Sequence, residues 1–74
     1  MKNNSLLNKN IYLFCAHGQQ FTWYCHIPEA ACLWFISAMN KRNLSWDIKS
    51  CHENGINITS LVKDLLVIDE RNKI

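Results

Sequence analysis

The sequence predicts a small two-layer α+β domain, a three-stranded sheet with helices packed on it in the order ββαβα. Two neighbouring runs are rich in β-branched and aromatic residues, a later run has apolar residues at every second position, and two runs have them at helical spacing. The chain has 74 residues, which is enough for one small domain. Because 49% of the residues are hydrophobic and 19% are charged, the composition favours a folded chain over a disordered one.

The domain is expected at residues 11–68, between a polar N-terminal tail at 1–10 and a charged C-terminal end at 69–74. The tail has no hydrophobic period and is expected to be flexible. It also lacks the apolar run of a secretory signal, and the most apolar stretch of the chain is too short to span a bilayer. We therefore expect a cytoplasmic protein with no membrane association.

The first two strands are predicted at residues 11–17 and 21–26, joined by a hairpin loop. The loop is either a two-residue turn formed by Gly18 and Gln19 or a three-residue turn. The choice matters because a slip of one residue exchanges the faces of the second strand. With the two-residue turn, one apolar face carries Tyr12, Phe14, Ala16, Phe21, Trp23 and Cys25.

A helix is predicted at residues 28–42. Pro28 suits the first helical turn and Glu29 suits the positive end of the helix dipole, whereas Lys41 and Arg42 suit its negative end. Residues at i, i+3, i+4 and i+7 form one stripe that we expect to cover the hairpin. The stripe comprises Cys32, Phe35, Ile36 and Met39, widened by Ala31 and Ala38.

After this helix the apolar period changes to two. Leu44, Trp46 and Ile48 alternate with polar residues, which predicts a third strand with one buried face. An Asn54-Gly55 turn should follow.

A short second helix is then predicted at residues 58–67, with Asn57 or Thr59 available to cap it. Val67 and Ile68 could instead form a short strand.

Four cysteines and three histidines are the most unusual feature of the composition. A structural zinc site usually begins with a close pair such as C-x-x-C, which is absent here, and the least poor ligand set is Cys15, His17, Cys25 and Cys51. Disulfides would be reduced in the cytosol. We expect the cysteines to behave mainly as small buried hydrophobic residues, with no bound metal or cofactor.

Enzymatic activity is not expected. Cys25-His26 and Cys51-His52 are sequence neighbours, and this spacing does not supply the geometry of a nucleophile and its base. The chain also lacks a Gly-rich phosphate loop.

Nucleic-acid binding is an alternative that the distribution of charge does not favour. Tyr12, Phe14, Trp23 and Tyr24 could stack on bases if one sheet face were open, but the basic residues are scattered and the net charge is only +2.

The surplus of apolar surface is the most informative functional feature. Leu33 and Trp34 fall outside the buried stripe of the first helix, and exposed aromatic residues are typical of protein interfaces. Leu33 and Trp34 are expected to anchor a partner, with basic residues at the rim. The complete candidate partner-binding set is Leu33, Trp34, Lys41, Arg42, Tyr24, Trp46 and Lys49.

These observations predict a small non-enzymatic protein that binds a larger host protein or complex as an inhibitor or modulator. The abundance of Asn, Ile and Lys is typical of genes rich in A and T, which suggests a phage or mobile element. An inhibitor of a host defence complex, of the anti-CRISPR kind, is the concrete form of this hypothesis. A homodimer through the same patch is a corollary. The alternatives are a small nucleic-acid-binding regulator and a zinc-stabilised adaptor.

Overall fold

The computed structural model describes residues 9–71 and has an α+β fold, as predicted. Its antiparallel sheet has four strands rather than three, in the order β2-β1-β3-β4. The expected tail lies outside the described residues at positions 1–8, as does the end of the chain at 72–74. The elements are β1 (Asn10–Ala16), β2 (Gln19–Cys25), α1 (Pro28–Lys41), β3 (Ser50–Glu53), β4 (Ile56–Asn57) and α2 (Thr59–Arg71).

The hairpin of β1 and β2 turns at His17 and Gly18, one residue earlier than either turn considered from the sequence. Both residues have positive φ angles, 53° and 71°, as a type I′ turn requires. Histidine is one of the residue types that enter this region more readily than most, and Nε2 of His17 lies 2.9 Å from the Ser45 carbonyl oxygen. Phe14 pairs with Phe21, so the turn produces the same faces as the predicted two-residue loop.

The predicted helix at 28–42 is present as α1, which ends at Lys41 with Arg42 as its C-cap. Asn43 follows in the left-handed region at φ 58°. The N–H of Asn43 donates to the Asn40 carbonyl oxygen at 3.2 Å, and the N–H of Leu44 donates to the Met39 carbonyl oxygen at 2.9 Å. This is the Schellman pattern, which satisfies the last carbonyl groups of the helix.

Both helices pack on the same face of the sheet. Phe14 stacks on Phe35 of α1 with ring centroids 4.9 Å apart, and Val62 of α2 lies in the same core. Among residues 9–71, no element covers the opposite face of the sheet. The buried core comprises Tyr12, Phe14, Ala16, Cys25, Ala31, Cys32, Phe35, Met39, Ile48, Cys51, Val62 and Leu66.

The predicted strand at 44–48 is wrong: this segment is an irregular loop, and β3 begins only at Ser50. The alternation of burial is nevertheless real, because Leu44 and Trp46 are half-buried and Ile48 is buried between exposed neighbours. The loop covers part of the core without forming β-sheet hydrogen bonds. An alternating pattern of apolar residues therefore does not distinguish a β-strand from an irregular segment that packs in the same way. Lys49 donates its backbone N–H to the Cys15 carbonyl oxygen at 2.7 Å, just before the ladder with β1 begins.

The Asn54-Gly55 turn is confirmed and joins β3 to the unpredicted β4. The second helix is longer than the predicted 58–67: it continues to Arg71, so residues 67 and 68 are helical rather than extended. The side-chain oxygen of Asn57 accepts the Thr59 N–H at 2.9 Å in an Asx-type turn just before the helix. Asn10 also belongs to the fold, because it is the first residue of β1.

Candidate functional site

The outer face of α1 presents two large apolar side chains to solvent. Leu33 is 61% exposed and Trp34 is 57% exposed, as their positions outside the buried stripe predict. Together with Ala30 and Ser37 they line a shallow concavity of about 250 Å³. Neither Leu33 nor Trp34 belongs to the buried core, whereas Ala30 is packed against it. More than half of the surface of each of these two side chains, Leu33 and Trp34, is therefore open to solvent.

These residues form one continuous stripe, which we call the α1 stripe: Ala30, Leu33, Trp34, Ser37 and Lys41. Their spacing of i, i+3, i+4, i+7 and i+11 places them on one side of a helix. At 1.5 Å per residue the stripe is about 16 Å long. The predicted partner-binding set did not include Ala30 or Ser37, although helical spacing from Leu33 and Trp34 identifies both residues.

Arg42 is exposed, but its guanidinium group also contacts the fold. Its guanidinium carbon lies 5.2 Å from the centroid of the Phe21 ring, and Nη1 donates to the Ala38 carbonyl oxygen at 3.0 Å. A cation over an aromatic face is attracted by the ring electrons. Lys41 is exposed at the end of the α1 stripe.

The other candidate residues lie elsewhere on the molecule. Tyr24 is 52% exposed on β2, and its side chain is on the sheet face that α1 and α2 leave open. Trp46 is half-buried, and its Nε1 donates to the Asn40 side-chain oxygen at 2.9 Å. Lys49 is exposed just before β3. The structure thus divides the predicted set among three surfaces and leaves the α1 stripe as its apolar centre.

A second concave region lies between the 44–48 loop and α2. It has a volume of about 750 Å³, and its walls include Trp46, Leu66 and Val67. The charged residues Lys63 and Glu70 lie on its α2 side. Carboxylate, ammonium and indole groups are mixed along this groove, so it does not define the chemistry of one ligand.

The four zinc ligands considered from the sequence, Cys15, His17, Cys25 and Cys51, do not converge on one point. Cys25 and Cys51 are buried on the inner face of the sheet, whereas Cys15 is half-buried on the open face. His17 lies in the hairpin turn and contacts Ser45. In the described part of the chain, no group of three or more His, Cys, Asp or Glu side chains is arranged to hold a metal ion.

The inner cysteines are protonated at neutral pH. Burial is the main cause that raises the pKa of the Cys32 and Cys51 thiols from 9.0 to about 12, and burial also raises the pKa of Cys25. The thiolate is the nucleophilic form of cysteine, so these three side chains are not activated for catalysis. All four cysteines are free thiols.

The proposed aromatic platform for nucleic acid is not present on the open face of the sheet. Tyr12 and Phe14 are fully buried beneath the helices, and Trp23 is packed against the same core. Trp23 also contacts the Phe14 ring edge-on, with centroids 5.5 Å apart. Only Tyr24 of the four residues faces solvent from the open side, so successive bases could not stack on them.

Comparison with known proteins finds no similarity that assigns a family. No protein-family model, curated protein or solved structure matches the chain. Within residues 9–71, neither helix has the length and apolar character needed to cross a membrane.

Proposed function

We propose that this chain is a small non-enzymatic inhibitor or modulator that binds a larger protein through the α1 stripe. The observation that carries the proposal is the exposure of Leu33 and Trp34 on a helix whose opposite face already packs on the sheet. Large apolar side chains concentrated on one exposed face are typical of interaction sites. Tryptophan in particular is enriched among the residues that dominate binding energy.

The shape of the stripe favours a groove on the partner as its binding site. A helix that presents anchors at i, i+3, i+4 and i+7 can place them in an apolar groove, a common mode of recognition. Glu29 is exposed at the start of α1 and Lys41 near its end. Charges of opposite sign at the two ends would orient the helix in such a groove, because reversing it would bring like charges together.

A host defence complex, and an origin in a phage or mobile element, remain part of this proposal. They are supported by the composition, with abundant Asn, Ile and Lys. The raised pKa values of Cys25, Cys32 and Cys51 support the non-enzymatic part, because protonated thiols are poor nucleophiles.

The proposal is tested by affinity capture from a bacterial lysate, using the wild type and three variants. Trp34→Asp places a charge at the centre of the stripe. Ile68→Asp is the matched control, because Ile68 is a 52% exposed apolar residue on α2. Tyr24→Asp tests the open face of the sheet. Circular dichroism must first show that all variants are folded.

The expected result is one dominant protein that is captured by the wild type and by Ile68→Asp and Tyr24→Asp, and is lost with Trp34→Asp. A charge in a desolvated apolar contact is strongly unfavourable, whereas the same charge in water costs little. If the protein is still captured by Trp34→Asp, or is lost only with Tyr24→Asp, the α1 stripe is not the binding surface. Capture of nucleic acid alone would favour the regulator instead.

A further inference from the structure

The outer edge of the sheet is formed by β2, and its backbone groups face away from β1 at alternate residues. The hydrogen bonds of Ile11 and Cys15 run towards the β3 side, so the even-numbered residues of β1 bond β2. Their partners on β2 are odd-numbered, for example Phe21 opposite Phe14. Hydrogen bonding alternates along an antiparallel ladder, so the N–H and C=O groups of Gln20, Thr22 and Tyr24 point outward.

Within residues 9–71, β2 has no charged residue, proline or bulge that would prevent the addition of another strand. The strand has seven residues and the sequence QQFTWYC, without a charged residue or a proline. Its pairing with β1 is continuous from Gln19 to Cys25, so no bulge distorts it. Edge strands in monomeric proteins are normally protected by lysine, proline, bulges or short length. The opposite edge is protected in this way, because β4 has only two residues.

We propose that β2 pairs with β2 of a second copy of this chain, forming an antiparallel two-fold dimer with a continuous eight-stranded sheet. Unpaired backbone donors and acceptors at regular spacing fit an added extended strand. The second copy fits because β2 is complementary to itself. Neither strand contributes a charge, and an antiparallel pair with its two-fold axis at Thr22 matches the outward groups of one copy with those of the other.

This register pairs all seven residues of both strands. Thr22 lies opposite Thr22 of the second copy, and Gln20 lies opposite Tyr24 of the second copy. On the inner face, Phe21 is brought opposite Trp23 of the second copy. These two rings are half-buried and stack within one chain with centroids 5.8 Å apart. Cross-strand aromatic pairs stabilise sheets, so the dimer would combine backbone pairing with burial of the exposed ring edges.

The proposal differs from self-association through the α1 stripe and does not depend on the proposed function. Sedimentation of the wild type at micromolar concentration should give twice the chain mass of 8.7 kDa. Thr22→Pro removes an outward N–H that none of the four described strands uses, a substitution that edge strands tolerate. This variant should stay folded and have the mass of one chain. Thr22→Val, the matched control, should remain a dimer, as should Leu33→Asp.

Disulfide trapping tests the register directly. Residues opposite each other in a hydrogen-bonded antiparallel pair have Cα atoms about 5.5 Å apart, within the range that a disulfide spans. Thr22→Cys should therefore form a covalent dimer on mild oxidation. Gln20→Cys alone should not, but a mixture of Gln20→Cys and Tyr24→Cys should give a mixed covalent dimer. Ile11→Cys and the wild type measure the background from exposed and native thiols.

A monomer mass for the wild type would overturn the proposal. So would a dimer that persists in Thr22→Pro, because another surface would then hold it together. Equal trapping of Thr22→Cys and Ile11→Cys would exclude the β2 pairing. None of these outcomes depends on capture of a partner, so failure of the dimer and failure of the proposed function are distinguishable.

Discussion

The neighbours Trp34 and Phe35 provide a direct test of how α1 is oriented on the sheet. Phe35 is fully buried, stacks on Phe14, and meets Phe21 edge-on with centroids 6.5 Å apart. Replacing such a side chain by alanine removes its buried area and leaves a cavity, which costs about 3–5 kcal/mol. Trp34 is 57% exposed, and alanine is the better helix former, so Trp34→Ala should change the free energy of unfolding by no more than about 0.5 kcal/mol.

The size of the domain makes this difference easy to measure. A chain of 74 residues is expected to have a free energy of unfolding of about 4–11 kcal/mol, so Phe35→Ala removes a large part of it. With a urea m-value of about 1 kcal/mol/M, the loss of about 3–5 kcal/mol should lower the midpoint of Phe35→Ala by about 3–5 M. Phe35→Leu, which retains most of the side-chain volume, should stay folded and lose less than about 2 kcal/mol.

Urea unfolding followed by circular dichroism gives the free energies of unfolding of Trp34→Ala, Phe35→Ala and Phe35→Leu. Leu33→Ala is a second surface control beside Trp34→Ala. The reasoning would be refuted if Trp34→Ala lost more than about 2 kcal/mol while Phe35→Ala lost less than about 1 kcal/mol. In that case Trp34 would be the core residue, and the α1 stripe could not be a binding surface.

Two further predictions concern the helix cap and the buried thiols. Asn43→Gly should raise the free energy of unfolding by about 0.5–1 kcal/mol, because glycine adopts the left-handed region without strain. Asn43→Val should lower the free energy of unfolding by about 1–2 kcal/mol, because a β-branched side chain is strained there. Equal urea midpoints for the two variants would contradict the left-handed cap at Asn43. Burial raises the pKa of Cys32 and Cys51 from 9.0 to about 12, so the free energy of unfolding should be unaffected by these groups below pH 9 and fall as the pH rises from 9 to 12. Urea midpoints measured across that range should decrease, less steeply in Cys32→Ala, and a constant midpoint would show that the thiols are not buried.

Local signals in the sequence predict the helices and the hairpin faces, and they fail where hydrogen bonding depends on distant residues. Pro28, the apolar stripe and Lys41 act within one helix, so α1 is predicted almost to the residue. The Asn54-Gly55 turn is also local. The 44–48 loop has the burial pattern of a strand, but whether it pairs depends on where β1 ends and on the Asn43 cap.

In the candidate site, too, local sequence signals predict some features, whereas others depend on distant parts of the chain. Exposure of Leu33 and Trp34 follows from helical periodicity alone. Tyr24 could not be assigned to a surface without knowing that α2 packs beside α1, which leaves the other sheet face open. The free edge of β2 was likewise not predicted, because the position of β3 beside β1 decides which hairpin strand becomes the edge.

The central claim, that Trp34 anchors a partner protein, is tested most directly by the dissociation constant of the complex with the captured protein. Trp34→Ala should raise this constant by at least about 30-fold, the effect of losing a residue that contributes 2 kcal/mol or more. Ile68→Ala, the matched exposed residue on α2, should change it by less than about 3-fold. Equal, small effects of both substitutions would contradict the claim and place the interface away from the α1 stripe.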